Sequence, residues 1–105
     1  MTITSTSEQV LVDTDAHVLT ITLNRPEKLN SVTQSMSDAL VTIIEEANSD
    51  DGVRVIILAG SGQRSFCAGS DITSLDGYAT PWEFRNRTDY CDALRASRKP
   101  IIAAI

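Results

Sequence analysis

The alternation of apolar and polar residues predicts two strands near the beginning of the chain. Residues 10–13 form a short apolar run, and residues 18–23 alternate bulky apolar residues with smaller or polar ones. A period of two with many β-branched residues is typical of a half-buried strand. Residues 14–16, Thr-Asp-Ala, separate the two stretches. We therefore predict a β-hairpin with its turn at residues 14–16.

A helical period is the clearest pattern in the sequence. One face of the predicted helix is apolar and consists of Val32, Met36, Ala39, Leu40, Ile43, Ile44 and Ala47. Ser31 and Gln34 have the spacing of a capping box, which predicts that the helix begins here. Residues 48–52 are polar and end with glycine, so we expect the helix to end among them.

The next segment, residues 53–59, is almost wholly apolar. Such a run is typical of a strand that is buried on both faces of a parallel sheet. A strand, a helix and a second strand in this order predict a right-handed βαβ crossover. The glycines at positions 60 and 62 end the strand.

The last quarter of the chain predicts one more helix and one more strand. Thr80 has the character of an N-cap, Pro81 fits the first helical position, and Glu83 completes a capping box. Residues 98–100, Arg-Lys-Pro, end this helix with cations near the negative end of its dipole. The apolar run at residues 101–105 is then the next parallel strand.

Composition and charge exclude several classes of protein. Of the 105 residues, 42% are hydrophobic and 22% are charged, which is typical of a folded globular domain. The net charge of -5 argues against a nucleic acid or an anionic membrane as a partner. The apolar runs are all far shorter than the ~20 residues that a membrane span requires. Two cysteines are too few for a disulfide framework or a four-cysteine zinc site, so we expect no metal.

The two ends of the chain differ in character. Residues 1–9 are mostly polar and lack the apolar core of a signal peptide, so we expect a flexible tail on a cytoplasmic protein. The other end lies within the apolar run 101–105, whereas a natural C-terminus is more often polar. We therefore expect the chain to be a piece of a longer protein.

The loop after the central strand is the candidate site, since ligands of open parallel sheets bind beyond the carboxyl ends of the strands. Ala68 and Gly69 are small and allow a ligand to approach the backbone closely. If a helix begins near Asp71, the amides of Ser70 and Asp71 are free donors and can form an oxyanion hole. An ordinary strand-to-helix turn has the same spacing, so spacing alone leaves both interpretations open.

Four segments carry a family resemblance. Residues 23–30 read Leu-Asn-Arg-Pro-Glu-Lys-Leu-Asn, and residues 66–72 read Phe-Cys-Ala-Gly-Ser-Asp-Ile. The first resembles the N-terminal signature of the crotonase family, the enoyl-CoA hydratase/isomerase superfamily, and the second resembles its acyl-CoA-binding loop. Residues 53–60 and 99–105 are similar to the strands on either side of that loop. The resemblance extends from about residue 18 onward and favours the oxyanion hole.

The resemblance implies an α/β fold, the N-terminal part of a crotonase-like ββα spiral that binds coenzyme A thioesters. Ser70 corresponds to the position whose backbone amide is the first oxyanion donor. The positions that correspond to coenzyme A-binding residues are Arg25, Lys28, Leu29, Ala68, Gly69, Asp71 and Ile72. Thr73 stands where members of the family often carry a lysine that is available to a phosphate.

The same resemblance places other catalytic groups after residue 105. We therefore expect residues 1–105 to be an incomplete, acyl-CoA-binding N-terminal portion of one domain, inactive alone, without a cofactor or a metal. The parent enzyme is expected to be an enoyl-CoA hydratase, a lyase of fatty acid metabolism, assembled as a homotrimer or hexamer. The alternatives are an isomerase, a dehydratase, another acyl-CoA lyase or hydrolase, or a non-catalytic thioester-binding module.

The remaining candidates have simpler interpretations. His17, the only histidine, lies at the start of a strand and is not expected to be catalytic. Cys67 and Cys91 are expected to pack as small apolar residues. We expect the aromatic residues of the last helix, Trp82, Phe84 and Tyr90, to pack it, with a role for Trp82 or Phe84 in shaping the acyl pocket as the alternative.

Overall fold

A four-stranded sheet with its strands in sequence order organises the chain, which the computed structural model describes over residues 3–71 and 79–105. β1 (Val10–Asp15) pairs with β2 (Val18–Leu23) in antiparallel orientation. β2 is parallel to β3 (Val55–Gly60), and β3 is parallel to β4 (Ile101–Ala104). α1 (Gln34–Ser49) connects β2 to β3. The predicted hairpin, the strand–helix–strand unit and the final parallel strand are all confirmed.

The hairpin turn lies two residues later than the sequence predicted. Thr14 and Asp15 belong to β1 and pair with Leu19 and Val18, so the predicted turn at residues 14–16 is wrong. Ala16 and His17 form the turn with φ angles of 49° and 69°. Positive φ at both positions is what a type I′ turn requires, and this turn matches the twist of the paired strands.

The N-cap of α1 lies two residues later than the predicted capping box places it. Thr33 is its N-cap and accepts a hydrogen bond from the amide of Met36 at 3.3 Å, so the Ser31–Gln34 capping box is wrong. Val32 lies before the helix and forms a parallel bridge with Ser70. Apart from Val32, the predicted apolar face is confirmed as the buried face: Met36, Ala39, Leu40, Ile43, Ile44 and Ala47.

The single helix predicted after residue 80 is interrupted. The structure has two short helices, α2 (Pro81–Arg85) and α3 (Tyr90–Ala96). Asp89 caps α3 in a complete capping box with Asp92, and this second start signal ends any continuation of α2.

Of the two hydrogen bonds in the predicted capping box of α2, one is confirmed. The hydroxyl of Thr80 accepts from the amide of Glu83 at 3.1 Å. The carboxylate of Glu83 accepts from the amide of Ala79, one residue before the N-cap, instead of completing the box with Thr80.

The core lies between one face of the sheet and α1. Its buried side chains form one cluster, which the strands contribute through Val10, Leu19, Ile21, Leu23, Ile56 and Leu58. Val55 and Ile57 point to the other face and are only partly buried. The prediction that β3 is buried on both faces is therefore wrong for the part of the chain that the structure describes.

The predicted flexible tail, residues 1–9, lies partly outside the described residues. Within it, Ile3 is buried in the core cluster. The flexibility of the tail stays a prediction.

A lysine joins the end of α1 to the beginning of β4. The ammonium group of Lys99 donates to the carbonyl of Ala47 at 2.5 Å and to the carbonyl of Asp50. Free carbonyls at the C-terminus of a helix carry partial negative charge, which a cation stabilises. The sequence predicted that Lys99 stabilises the end of the helix after residue 80, whereas in the structure it stabilises the end of α1.

Gly60, the last residue of β3, has no room for a side chain. A Cβ atom there would lie 2.3 Å from the carbonyl oxygen of Phe66 and 2.8 Å from Nδ2 of Asn30. Gly52 serves as a control, since the nearest atom to a Cβ there is a side-chain oxygen of Asp50 at 3.1 Å.

We predict that Gly60→Ala lowers the free energy of unfolding by about 3 kcal/mol because the backbone must shift to relieve the overlap. Gly52→Ala is expected to change it by less than about 1 kcal/mol. Urea denaturation of both variants measures the difference, and equal effects would contradict the close packing at Gly60.

Candidate active site

Two loops meet at the carboxyl ends of β2 and β3, and a buried carboxamide joins them. Nδ2 of Asn30 donates to the carbonyls of Ser61 and Ser65, both at 2.9 Å. Its Oδ1 accepts from the amide of Arg25 at 2.9 Å. The side chain is fully buried, and the residue has a φ of 58°. No pattern in the sequence singles out Asn30, although asparagine is one of the few residues that tolerates this conformation.

Backbone hydrogen bonds align the second part of the same two loops. The amide of Ala68 donates to the carbonyl of Leu29 at 3.0 Å, and the amide of Val32 donates to the carbonyl of Gly69 at 2.8 Å. The amide of Asp71 donates back to the carbonyl of Val32 at 2.8 Å. These contacts form the parallel bridge in which Val32 faces Ser70.

This bridge determines the direction of the Ser70 amide. A peptide bond is planar and trans, so its C=O and its N–H point in opposite directions. The carbonyl of Gly69 points to Val32, and the amide of Ser70 in the same peptide group therefore points away from it.

Among residues 68–71, Ser70 alone has an amide without an acceptor anywhere in the described ranges. The amide of Gly69 donates to the sulfur of Cys67 at 3.4 Å, and the amides of Ala68 and Asp71 are engaged as described above. The expectation of a free amide at Asp71 is wrong, because the carbonyl of Val32 accepts its hydrogen. The helix predicted near Asp71 and the candidate residue Ile72 fall on residues 72–78, outside the described residues.

Arg25 and Asp71, both expected to bind coenzyme A, form an ion pair. Nη1 of Arg25 lies 2.6 Å from Oδ2 of Asp71, and the two side chains are 14% and 11% exposed. The same nitrogen donates to the hydroxyl of Ser31 at 2.9 Å. The charge of the guanidinium is thus neutralised inside the protein, and its direct contact with a diphosphate stays a prediction.

Lys28 and Leu29 form the exposed tip of the first loop. Lys28 ends a 3-10 turn (Pro26–Lys28), and Leu29 has a φ of 55° and is 37% exposed. The ammonium group of Lys28 makes no ion pair or hydrogen bond with the residues that the structure describes, and only the backbone of Lys28 is bonded, to Arg25 and Ser31. Of the two cations that the sequence placed in this loop, Lys28 is the one available to an anion.

Tyr90 approaches the same loop from α3. Its hydroxyl lies 3.1 Å from the hydroxyl of Ser70, and its amide donates to the hydroxyl of Ser37 in α1 at 3.2 Å. Burial raises the pKa of the Tyr90 phenol above its ordinary value of 10.0. Tyr90 also packs against the core cluster, as predicted, but its polar contact with Ser70 was not anticipated.

The predicted packing of the other two aromatic residues, Trp82 and Phe84, is not confirmed. Trp82 is 69% exposed, so the expectation that it packs its helix is wrong. The side chain of Phe84 lies outside the described part of the structure, and its role stays a prediction.

His17 lies at the opposite end of the sheet from the site. It precedes β2, whereas the candidate loops follow β2 and β3, and its Nδ1 donates to the carbonyl of Gly52 at 2.9 Å. Cys67 and Cys91 are both free thiols and partly buried. Burial, with the charge of Asp89, raises the pKa of the Cys91 thiol. No group of three potential metal ligands occurs within the described residues.

An open cleft of about 260 Å³ lies beside the second loop, at the carboxyl ends of β3 and β4. Its walls are formed by Gly60, Gly62, Gln63, Arg64, Ser65, Phe66, Ala104 and Ile105. The location agrees with the rule that ligands of parallel sheets bind at this edge.

We predict that Arg25→Gln lowers the free energy of unfolding by about 3 kcal/mol, because it leaves the mostly buried carboxylate of Asp71 without its cation. Arg87→Gln is the control, since the Arg87–Asp89 pair is more exposed, with 28% of the arginine side chain accessible. Its expected cost is below about 1 kcal/mol. Chemical denaturation distinguishes the two, and a cost for Arg25→Gln no larger than the control would contradict a structural role for the pair.

The raised pKa of Tyr90 also predicts a pH dependence. Above pH ~10 the unfolded chain loses a phenolic proton that the folded chain retains, so the free energy of unfolding falls as the pH rises through the folded-state pKa. Tyr90→Phe is expected to lack this component of the decrease. Denaturation of both proteins over a series of alkaline pH values measures it, and parallel profiles would contradict the shift.

Comparison with known proteins identifies the family of this architecture. The sequence model of the enoyl-CoA hydratase/isomerase family matches residues 18–105. A protein of Arabidopsis thaliana named "Probable enoyl-CoA hydratase 1, peroxisomal" is 40% identical over 88 residues, which are 84% of this chain and 33% of that protein. The 1,2-epoxyphenylacetyl-CoA isomerase of Escherichia coli is 42% identical over 65 residues, 62% of this chain and 24% of the isomerase. The chain thus spans a third or less of the length of these two relatives.

Solved structures show the same fold. An enoyl-CoA hydratase from Bacillus anthracis superposes with a TM-score of 0.78 at 30% identity, covering 91% of this chain and 39% of that structure. An enoyl-CoA hydratase from Mycobacterium tuberculosis gives a TM-score of 0.72 at 35% identity, covering 93% of this chain and 39% of the other. The predicted α/β fold, the N-terminal part of a crotonase-like ββα spiral, is confirmed. The chain belongs to the enoyl-CoA hydratase/isomerase family, the crotonase superfamily that its two loop motifs resemble.

Proposed function

We propose that the chain is the acyl-CoA-binding part of an enoyl-CoA hydratase/isomerase-type enzyme and that the backbone amide of Ser70 polarises the thioester carbonyl. The observation that carries this proposal is the amide of Ser70, which has no acceptor within residues 3–71 and 79–105, whereas the other amides of residues 68–71 all have one. A fixed donor of this kind contributes about 2.7–4 kcal/mol to stabilisation of a transition state that carries negative charge on oxygen.

The chemistry of the proposed site depends on the position of one N–H group before the substrate arrives. When the α-carbon of a thioester gains electron density, negative charge develops on the carbonyl oxygen. A donor that is already oriented stabilises this charge without reorganisation during the reaction. The donor belongs to the backbone, so the hydroxyl of Ser70 does not have to contact the carbonyl oxygen.

The loop of residues 24–30 is proposed to hold the nucleotide end of the coenzyme A moiety. Lys28 offers a phosphate an exposed ammonium group that is unpaired among the described residues. Arg25 is neutralised by Asp71 and acts by holding the two loops together. Ala68 and Gly69 offer accessible backbone, and Gly69 has a φ of 101°, which favours glycine. Ile72 completes the proposed binding set.

The remaining catalytic groups are proposed to lie in sequence that corresponds to the rest of the longer relatives. These groups are a second amide donor and the carboxylates that move protons and water. We therefore propose that the 105-residue chain binds a thioester and does not turn it over. The whole enzyme is proposed to be a cytoplasmic homotrimer or hexamer of fatty acid metabolism that needs no cofactor besides the coenzyme A of its substrate. Over the described residues, no helix is long and apolar enough to cross a bilayer.

Hydration, a lyase reaction, is our first assignment within the superfamily. Isomerisation is the second, supported by the identity to the 1,2-epoxyphenylacetyl-CoA isomerase, and both reactions use the same type of oxyanion hole. A dehydratase, another acyl-CoA lyase or hydrolase, or a non-catalytic thioester-binding module remain the further alternatives.

Titration of the chain with crotonyl-CoA tests the proposal. We expect measurable binding, weakened about fivefold in Lys28→Gln because one charge contact of about 1 kcal/mol is lost. Arg54→Gln is the matched control, since Arg54 is an exposed cation next to the opposite end of β3. Isothermal titration calorimetry measures both, and the difference is expected to shrink in high salt.

Two outcomes would contradict this assignment. Equal affinity of the wild type, Lys28→Gln and Arg54→Gln would exclude the proposed contact of Lys28. Hydration of crotonyl-CoA by this chain at the rate of a complete enzyme would exclude the assignment of the acid/base groups to other sequence.

A further inference from the structure

Tyr90 is a polar residue of the candidate site that the proposed thioester chemistry does not use. It is the first residue of α3, and the capping box of Asp89 fixes the backbone immediately before it. Its amide is bonded to the hydroxyl of Ser37, which is 5% exposed on α1. The capping box and the hydrogen bond to Ser37 therefore fix the backbone of Tyr90, and its phenol projects towards Ser70.

Two backbone hydrogen bonds on either side of Ser70 join its segment to the first loop. The carbonyl of Gly69 and the amide of Asp71 both bond to Val32. The contact between the hydroxyls of Ser70 and Tyr90, at 3.1 Å, holds Ser70 through its side chain. Gly69 precedes Ser70 with a φ of 101°, and a Cβ at this position would meet no atom within 4 Å. No side-chain packing at Gly69 therefore adds to the hydrogen bond with Val32 that orients the peptide group carrying the Ser70 amide.

We propose that Tyr90 is a positioning residue of the oxyanion donor: its hydroxyl holds the side chain of Ser70 and thereby fixes the direction of the Ser70 amide. This inference rests on the proposed role of that amide. A hydrogen bond to the hydroxyl restricts χ1 of Ser70, and the allowed rotamers of a side chain depend on the backbone angles of its residue. Restriction of the side chain therefore narrows the backbone conformations that Ser70 samples.

The protonation state of Tyr90 suits this role. Because burial raises the pKa of the phenol, the group stays neutral in the physiological range. A neutral phenol keeps its hydrogen bond with Ser70 and adds no negative charge beside the oxygen on which charge develops.

A double-mutant cycle tests the proposal. Tyr90→Phe removes the phenol oxygen and keeps the ring, and Ser70→Ala removes the hydroxyl and keeps the backbone amide. The readout is the infrared carbonyl frequency of bound crotonyl-CoA, which falls when an oriented donor polarises the carbonyl. Each substitution is expected to reverse part of this fall to a similar extent, and the double variant is expected to match either single variant. Kd is expected to change by less than about threefold.

Thr42→Val is the matched control, because the hydroxyl of Thr42 donates to the carbonyl of Asp38 on an exposed part of α1. It is expected to leave the carbonyl frequency unchanged. Additive effects of Tyr90→Phe and Ser70→Ala, or a wild-type frequency in Tyr90→Phe, would overturn the role of Tyr90 and leave the proposed function intact. A bound thioester whose carbonyl is unpolarised in the wild type would instead overturn the proposed function.

A second measurement does not require a ligand. The ¹⁵N order parameter of the Ser70 amide in the free chain is expected to fall in both Tyr90→Phe and Ser70→Ala, and to stay at the wild-type value in Thr42→Val. An unchanged order parameter in Tyr90→Phe would overturn the positioning role whether or not the thioester binds.

Discussion

The buried carboxamide of Asn30 is the constraint on which the candidate site depends. A buried amide is tolerated only when its donors and acceptor are paired, since each unpaired group costs about 1–3 kcal/mol. Asn30 meets this condition by bonding to Arg25, Ser61 and Ser65, and it thereby joins the loops after β2 and β3. The close approach of the two loops also explains the glycine at position 60, because a Cβ there would lie 2.8 Å from Nδ2 of Asn30.

A second interaction between the two loops, the ion pair of Arg25 and Asp71, balances the charge near Ser70. Asp71 directly follows the proposed oxyanion donor, and an uncompensated carboxylate there would oppose the negative charge that develops on a thioester oxygen. The guanidinium of Arg25, at 2.6 Å, cancels that charge. In the proposed site, Arg25 thus has an electrostatic role that does not require contact with the substrate.

The sequence was informative wherever structure depends on local pattern. The period of two predicted β2, the helical period predicted the buried face of α1, and Thr80 was recognised as an N-cap. Some of the errors arose where distant residues decide the outcome. Val32 belongs to the helical pattern, yet its backbone bonds to residues 69 and 71, so α1 begins later. The pairing of Arg25 with a carboxylate 46 residues away left no signal in either motif.

Residues with positive φ angles are concentrated in the two loops of the candidate site. Apart from the hairpin turn, the described residues with positive φ are Leu29, Asn30, Gly62 and Gly69, and all four lie in the two joined loops. Such conformations persist only where surrounding contacts determine them, and they concentrate at functional sites. Here the surrounding contacts are formed on folding, before any ligand arrives. In the proposed function, thioester binding therefore does not have to order the proposed donor, and more of the interaction energy remains available to stabilise charge on the thioester oxygen.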